Sequence, residues 1–205
     1  MTGGRKVVEI QCLLWDFGDT LCDERFIWSS GPEWMDAYET FAGDGVGAAW
    51  SLGEIDTREF AAELSKRMEL DAESIVAHMI ERCNHIEFFA QTYAFFKARH
   101  LPQAIVTVNP DIFSDIIVPV CEFASSCDAI VTSWEERTTD KRVLGELAID
   151  RLGLSCENGE ALLIDNKRSN IDDWVSIGGA GYRYIDDDTF ARDVAGGIDS
   201  LVTGT

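Results

Sequence analysis

The sequence predicts an α/β fold in which a doubly wound, mostly parallel sheet carries an inserted helical cap. Five short and nearly continuous apolar runs are typical of parallel strands that are covered on both faces. Amphipathic stretches alternate with these runs, as helices do between the strands of a parallel sheet. The interval between the first two runs is much longer than the others and contains several amphipathic stretches but no convincing strand. That interval predicts the cap.

The strands are predicted over 8–16, 103–108, 128–132, 161–165 and 181–185, which gives a Rossmann-like sheet. A helix is predicted in "DKRVLGELAIDRLGL", with Gly153 as its stop signal. The apolar residues expected on one face of this helix are Val143, Leu144, Leu147, Ala148 and Leu152. A further short helix is predicted in "SNIDDWVSIGGAG", where glycines close it.

The cap is predicted from three amphipathic stretches, "PEWMDAYETF", "DTREFAAELSKRMEL" and "DAESIVAHMIERC". Asp56 and Asp71 stand at the N-cap positions of the second and third of these helices. The glycine-rich stretch 43–47 is predicted to be a loop. The chain is therefore divided into a core domain, residues 1–24 and 100–205, and a helical cap, residues 25–99, that follows the first strand.

The composition indicates which partners and which cellular location to expect. The formal net charge of -20 repels nucleic acid and anionic membranes, so neither is expected as a partner. The six cysteines form no C-x-x-C pair, and several of them, in apolar runs, are expected to be buried thiols rather than metal ligands or disulfides. No signal peptide or membrane-spanning run is recognised, so a cytoplasmic protein is expected. Oligomeric state is left open.

Polar residues stand where the predicted strands end. Asp16 ends the first strand, Thr107 the second, and Asp165 the fourth with Asn166 directly after it, while Lys141 follows the third strand. In an open α/β sheet, ligands bind outside the carboxyl ends of the strands. A carboxylate, a hydroxyl, a lysine and a second acidic site are therefore expected in one pocket.

Four motifs in order resemble the haloacid dehalogenase (HAD) superfamily of hydrolases, most of which are phosphatases. "WDFGDTL" is similar to the family's first motif, D-x-D-G-T-L, and "AIVTVN" to the second, an apolar strand that ends in Thr107. Lys141 lies at a spacing before Leu152-Gly153 that is found in part of the family. "LLIDNKRSN" resembles the fourth motif, h-h-D-D-x-x-x-N. The helical insert stands where the family's small, C1-type cap belongs.

The resemblance implies a Mg²⁺-dependent phosphatase that acts on a small phosphorylated metabolite. It assigns Asp16 as the nucleophile that forms an aspartyl-phosphate, and Lys141 as the cation that neutralises the nucleophile and the phosphoryl group. Arg137 or Arg142 are possible substitutes for this lysine. The implied phosphate-binding residues are Thr107, Val108 and Lys141. The implied metal ligands are Asp16, the Gly18 carbonyl, Asp165 and Asn166, and Asn170 orients the site or caps a helix.

Two residues depart from the family pattern. Gly18 stands where an Asp usually serves as general acid and base, a role worth about 10²–10⁴-fold in rate. The alternatives considered for this proton donor are Asp19, Asp23, Glu54 and His85. Asn166 replaces the stronger metal carboxylate, so weaker Mg²⁺ binding is expected.

These departures leave three other functions open. The first is a 2-haloacid dehalogenase, which needs no metal. Dehalogenases also lack the second Asp of the first motif, which agrees with Gly18 at that position, but Asp165 argues against this function. A catalytically weakened phosphate-binding protein of the same fold is the second. A receiver-like phospho-acceptor also uses acids and a lysine, but the helical insert disfavours it.

Overall fold

A computed structural model describes residues 9–28, 30–43 and 45–203. Within these residues the fold contains one five-stranded parallel sheet with the strand order β3-β2-β1-β4-β5. The strands are β1 (Cys12–Trp15), β2 (Gln103–Thr107), β3 (Ala129–Thr132), β4 (Ala161–Asp165) and β5 (Ala180–Arg183). The predicted α/β class with a doubly wound parallel sheet is confirmed. The first strand is shorter than predicted, and Val8 lies outside the described residues.

Ten α-helices occur in the described part of the chain. Five lie between β1 and β2: α1 (Pro32–Gly43), α2 (Val46–Ser51), α3 (Thr57–Ser65), α4 (Ala72–Cys83) and α5 (Ala90–Ala98). The others are α6 (Val118–Val120), α7 (Ser133–Glu136), α8 (Lys141–Arg151), α9 (Arg168–Ser176) and α10 (Asp187–Val194). A π-helical turn, Phe113–Ile117, leads into α6. No helix in this part of the molecule is long and apolar enough to cross a bilayer.

The sheet is covered on both faces, as its apolar strands require. Because side chains alternate along a strand, Leu13 and Trp15 of β1 belong to one core while Cys12 and Leu14 belong to the other. On the first face, the Trp15 ring packs edge-on against Phe96 of α5, with ring centroids 5.7 Å apart. The second face is covered by α8 and α9.

Helix α5 therefore packs on the sheet as well as connecting the insert to it. The division of the chain into a core, 1–24 and 100–205, and a cap, 25–99, stays a prediction.

Two local predictions are wrong. The stretch 43–47 is only partly a loop, because α1 extends to Gly43 and α2 starts at Val46, while Asp44 lies outside the described residues. Gly45 precedes α2 with a φ of 82°, and because glycine has no side chain, this helix starts without a capping side-chain hydrogen bond. Val143 is 42% exposed although Leu144 and Ala148 on the same helix are buried. The N-caps at Asp56 and Asp71 are both present: the Asp56 carboxylate accepts two backbone N–H groups of its helix, and the Asp71 carboxylate accepts one.

The six cysteines are all free thiols. Cys12, Cys22 and Cys83 are buried, and the other three are half-buried. Burial is the main reason why the pKa of the Cys83 thiol is raised to about 12. The expected role of the cysteines as packed thiols agrees with this burial.

Candidate active site

The carboxyl ends of three neighbouring strands bring the predicted site residues together. Strand β1 lies between β2 and β4, and all three run parallel. Asp16 therefore leaves the sheet beside the ends of its two neighbours, and its backbone N–H donates to the carbonyl of Ile164 at 2.9 Å. The sheet order alone accounts for the meeting of Asp16, Thr107 and Asp165 at one edge.

Lys141 reaches this edge from the first turn of α8. Its Nζ atom lies 2.9 Å from Oδ1 of Asp16 and 3.0 Å from Oδ2 of Asp165, and it donates to the carbonyl oxygen of Val106 at 2.6 Å. The three charged side chains are almost completely buried. One ammonium group thus serves two carboxylates at a buried position.

The shared ammonium leaves the site with an excess of negative charge. Burial raises the pKa of Asp16 to about 6; the charge of Asp165 adds to the rise and Lys141 opposes it. Burial alone would lower the pKa of Lys141, but the two carboxylates outweigh it and raise that pKa above its usual value. The lysine is therefore a cation at neutral pH.

Asp165 is held by three donors. Its Oδ2 accepts from Lys141 and from Nδ2 of Asn170 at 2.8 Å, and its Oδ1 accepts from the backbone N–H of Lys167 at 2.8 Å. Asn170 lies inside α9 rather than at its N-cap, so its side chain orients Asp165. Because each carboxylate oxygen has two lone pairs, Oδ1 of Asp165 keeps one for a further partner.

Thr107 is 1% exposed at the end of β2. Its hydroxyl oxygen accepts a hydrogen bond from Nδ2 of Asn109 at 2.7 Å. A hydroxyl that accepts in this way still has its own proton to donate. Val108 follows directly and lines the same cavity.

The donor atoms of the residues proposed for a metal are compatible with Mg²⁺. The Oδ1 atom of Asn166 is buried and has no hydrogen-bond partner in the described structure. An unpaired buried oxygen is costly unless a ligand completes it, and Mg²⁺ prefers oxygen donors of this kind. Asp16, Asp165 and the Gly18 carbonyl are also oxygen donors, so the donor types fit the ion, although Asn166 lines a different cavity from the one that holds Asp16 and Gly18. Among the described residues there is no cluster of three or more His, Cys, Asp or Glu placed to hold a metal. Only two of the four proposed ligands, Asp16 and Asp165, are carboxylates, so the proposed ligands carry little negative charge.

A cavity of about 500 Å³ opens at this edge of the sheet. Its polar side holds Asp16, Glu24, Thr107, Lys141, Lys167 and Asn170. Its apolar side comes mostly from the segment after β1 and includes Phe26, Ile27, Trp28, Trp50 and Phe60. The wall of the cavity at the sheet is thus charged, and the wall formed by the helical insert is aromatic.

The insert is attached to the core at a buried carboxylate. Asp111, just after β2, accepts hydrogen bonds from the backbone N–H of Thr57 at 2.9 Å, from the Thr57 hydroxyl at 2.6 Å and from Nε1 of Trp50 at 2.9 Å. These contacts hold Trp50 at the wall of the cavity.

The substitutes considered for Lys141 lie elsewhere. Arg142 is bound to the carboxylate of Asp140 through its Nε and Nη2 atoms. Arg137 donates to the carbonyl of Leu52 at 3.4 Å and stacks over Trp134. Neither lines the cavity that holds Asp16.

The proton donors considered in place of Gly18 also lie outside this cavity. His85 forms an exposed pair with Glu81, with 2.8 Å between Nε2 and Oε1. Asp23 is engaged by Arg25 through two side-chain hydrogen bonds, and Glu54 is exposed. Asp19 accepts a hydrogen bond from the backbone N–H of Glu24 at 3.1 Å and lines a different cavity together with Asn166.

Three residues of the cavity or its support were missed by the sequence-based prediction. Glu24 returns to the cavity because the chain turns sharply after Phe17, whose carbonyl accepts from the N–H groups of Leu21 and Cys22. Lys167 adds a second lysine, and Asn109 orients the Thr107 hydroxyl. The only available signal for Lys167 and Asn109 was their position two residues after a strand-end residue.

Comparison with known proteins gives matches in structure alone. No family model and no curated protein matches the sequence. A predicted HAD-like family hydrolase from Porphyromonas gingivalis superposes with a TM-score of 0.71 at 15% identity, covering 91% of this chain and 96% of that one. A HAD family enzyme from Bacteroides thetaiotaomicron, in complex with magnesium and inorganic phosphate, gives 0.68 at 16% identity, covering 86% and 95%.

A third similar structure is L-2-haloacid dehalogenase from Xanthobacter autotrophicus with chloropropionic acid covalently bound. It superposes with a TM-score of 0.66 at 16% identity, covering 92% of this chain and 84% of that one. The chain therefore has the fold of the HAD-like enzymes, and the resemblance seen in the four motifs is confirmed at the level of the fold. Similar structures include both phosphatases and dehalogenases.

Proposed function

We propose that this protein is a Mg²⁺-dependent phosphatase that hydrolyses a small phosphorylated metabolite through an aspartyl-phosphate on Asp16. The observation that supports it most is the buried ammonium of Lys141 between the carboxylates of Asp16 and Asp165. A phosphate ester repels a carboxylate nucleophile, so attack requires positive charge at the point of contact. Lys141 provides that charge beside the attacking oxygen.

In the first step an oxygen of Asp16 attacks phosphorus and the bond to the leaving group breaks. Lys141 and the hydroxyl of Thr107 stabilise the phosphoryl oxygens, with the backbone at Val108 beside them. In the second step water attacks phosphorus, and the bond to Asp16 breaks to return the free carboxylate.

Mg²⁺ bound by Asp16, the Gly18 carbonyl, Asp165 and Asn166 would neutralise phosphoryl charge when present. Asn170 and the backbone N–H of Lys167 keep Asp165 in position for that role.

The shape of the cavity supports a small substrate. Its volume of about 500 Å³ suits a metabolite, and its aromatic wall under residues 25–99 would cover the part of the substrate remote from phosphate. We infer that these residues act as a cap that excludes water. The charge of -20 supports a small molecule over nucleic acid or a membrane as the partner, and a cytoplasmic location is part of the same proposal.

A second candidate is a metal-independent 2-haloacid dehalogenase. Gly18 favours it, since no acid at that position is needed when halide leaves, and a dehalogenase with a covalently bound substrate shares the fold. The buried pair of Lys141 with Asp165 favours the phosphatase, because a second carboxylate at this site serves a metal rather than a haloacid.

Phosphate release should be screened over a broad metabolite panel with Mg²⁺ and with a chelator, next to the Asp16→Asn variant. Phosphate release that requires Mg²⁺ and is absent in Asp16→Asn supports the phosphatase. Chloride release from 2-chloropropionate in the presence of chelator supports the dehalogenase instead. Binding of phosphate without turnover of either class identifies a catalytically weakened binding protein.

A further inference from the structure

The backbone conformation at position 18 does not require a glycine. Its φ is outside the left-handed region, which among the described glycines is occupied by Gly45, Gly53, Gly153, Gly178 and Gly197. Any L-residue can adopt the conformation of Gly18. The reason for a glycine at this position is therefore in what surrounds it.

The space beside Gly18 is filled by Glu24. An ideal Cβ atom on Gly18 would lie 2.8 Å from Cβ of Glu24 and 3.0 Å from its Oε2. The first distance is too short for two carbons, so a side chain at position 18 and the present side chain of Glu24 exclude each other. The Glu24 carboxylate thus occupies the place that a side chain at position 18 would take.

The backbone around Glu24 is fixed on both sides. Asp19, at a φ of 53°, accepts the N–H of Glu24 through Oδ1 at 3.1 Å. Asp23 caps the 3-10 turn Glu24–Ile27 by accepting the N–H of Arg25 at 2.9 Å. Glu24 lines the cavity together with Asp16, Thr107 and Lys141. The Glu24 side chain therefore lines the same cavity as the nucleophile.

We propose that Glu24 is the proton donor to the leaving group, in place of the acid that is missing at position 18. This inference rests on the proposed phosphatase function. As the bond between phosphorus and the leaving oxygen breaks, that oxygen takes the electron pair and the proton of the Glu24 carboxyl group. In the second step the Glu24 carboxylate accepts a proton from the water that attacks phosphorus, which restores both Glu24 and Asp16.

The test uses leaving groups that differ in their need for a proton. An alkyl phosphate leaves as an alkoxide and needs the donor, whereas acetyl phosphate leaves as a stable carboxylate. Because kcat/KM reports only the steps up to the first irreversible bond cleavage, Glu24→Gln should lower kcat/KM for alkyl phosphates by about 10²-fold or more and change it less than about threefold for acetyl phosphate.

Two further variants separate this role from a structural one. Glu54→Gln makes the same chemical change at an exposed site and should leave both values unchanged. Gly18→Asp combined with Glu24→Gly moves the carboxylate to position 18 and also removes the Cβ atom that would lie 2.8 Å from the new one. This double variant should recover most of the alkyl phosphate activity that Glu24→Gly loses. Mg²⁺ affinity, followed by tryptophan fluorescence, should be the same in Glu24→Gln and wild type, whereas loss of a metal ligand would weaken it.

Three results for Glu24→Gln would overturn the role of Glu24 without contradicting the phosphatase proposal. They are an equal loss of kcat/KM for both leaving groups, no loss of kcat/KM for either, and a fall in Mg²⁺ affinity that accounts for the loss. If the wild-type protein hydrolyses neither substrate class, the phosphatase proposal fails, and the inference about Glu24 fails with it.

Discussion

The Nζ atom of Lys141 lies 2.9 Å from Oδ1 of Asp16, and both side chains are almost fully removed from solvent. The two residues are far apart in sequence and meet because the end of β1 and the start of α8 lie at the same edge of the sheet. Asp165 shares the same ammonium at 3.0 Å. Two buried negative charges therefore depend on one positive charge.

Replacing Lys141 with Met should abolish phosphatase activity and destabilise the fold. The change leaves two buried carboxylates without their cation, which costs about 3–5 kcal/mol in the free energy of unfolding. Urea denaturation measures that cost. Lys66→Met, at an exposed lysine paired with Glu63, is the matched control and should change the free energy of unfolding by less than about 1 kcal/mol. Equal effects of the two changes would show that Lys141 is not a buried ion pair.

The raised pKa of Asp16 predicts how stability depends on pH when a chelator removes metal. An acid whose pKa rises from 3.8 in the unfolded chain to about 6 in the folded protein binds protons more tightly when folded. Between these two values, rising pH therefore lowers the free energy of unfolding, by roughly 3 kcal/mol in total from this group. Asp16→Asn removes this contribution. The wild-type protein should lose stability relative to Asp16→Asn as pH rises from about 4 to about 6, measured by urea denaturation at each pH. A constant difference across that range would contradict the raised pKa.

Asn166→Asp should strengthen Mg²⁺ binding by about tenfold or more, because it replaces a neutral amide oxygen with a charged ligand. The same change should destabilise the metal-free protein, since it adds a carboxylate directly after the buried Asp165. Calorimetric titration with Mg²⁺ measures the first effect and urea denaturation in chelator the second. Asn84→Asp, on an exposed asparagine, controls for net charge in the Mg²⁺ titration. Unchanged affinity in Asn166→Asp would place the metal away from this residue.

Asp111→Ala should loosen the attachment of residues 25–99 to the core. It leaves the N–H and the hydroxyl group of Thr57 without their carboxylate partner, and each unpaired buried donor costs about 1–3 kcal/mol. Nε1 of Trp50 keeps only its hydrogen bond to the Thr57 hydroxyl oxygen at 3.2 Å. Thermal unfolding should show the loss, and hydrogen exchange should rise in α2 and α3. Asp115→Ala, a change to a nearby exposed acid, is the control. Protection in α2 and α3 that equals wild type would contradict the attachment.

The amino-acid sequence is sufficient to predict the sheet and one edge of the site. Strand ends can be recognised from apolar runs, and parallel strands bring their ends together, so Asp16, Thr107 and Asp165 can be grouped from the sequence alone. Lys141 follows from its position at a helix start after β3. These inferences depend on local pattern and on the order of strands.

Glu24 could not be found in this way. Its place in the cavity depends on the turn after Phe17 and on the absence of a side chain at Gly18, and neither is visible from periodicity. Helix α2 was missed because Gly45 precedes it without a polar cap. The burial of Trp50 depends on Asp111, which lies far from it in sequence and whose carboxylate gives no local signal.

Mass spectrometry of the acid-quenched enzyme, during turnover of acetyl phosphate with Mg²⁺, would show directly whether Asp16 is the nucleophile of a phosphoryl transfer. We expect the proteolytic peptide containing Asp16 to gain the mass of one phosphoryl group, and neither Asp16→Asn nor a reaction with chelator to give this gain. Turnover with no phosphorylated peptide at Asp16, or with the phosphoryl group on another residue, would contradict the proposed mechanism.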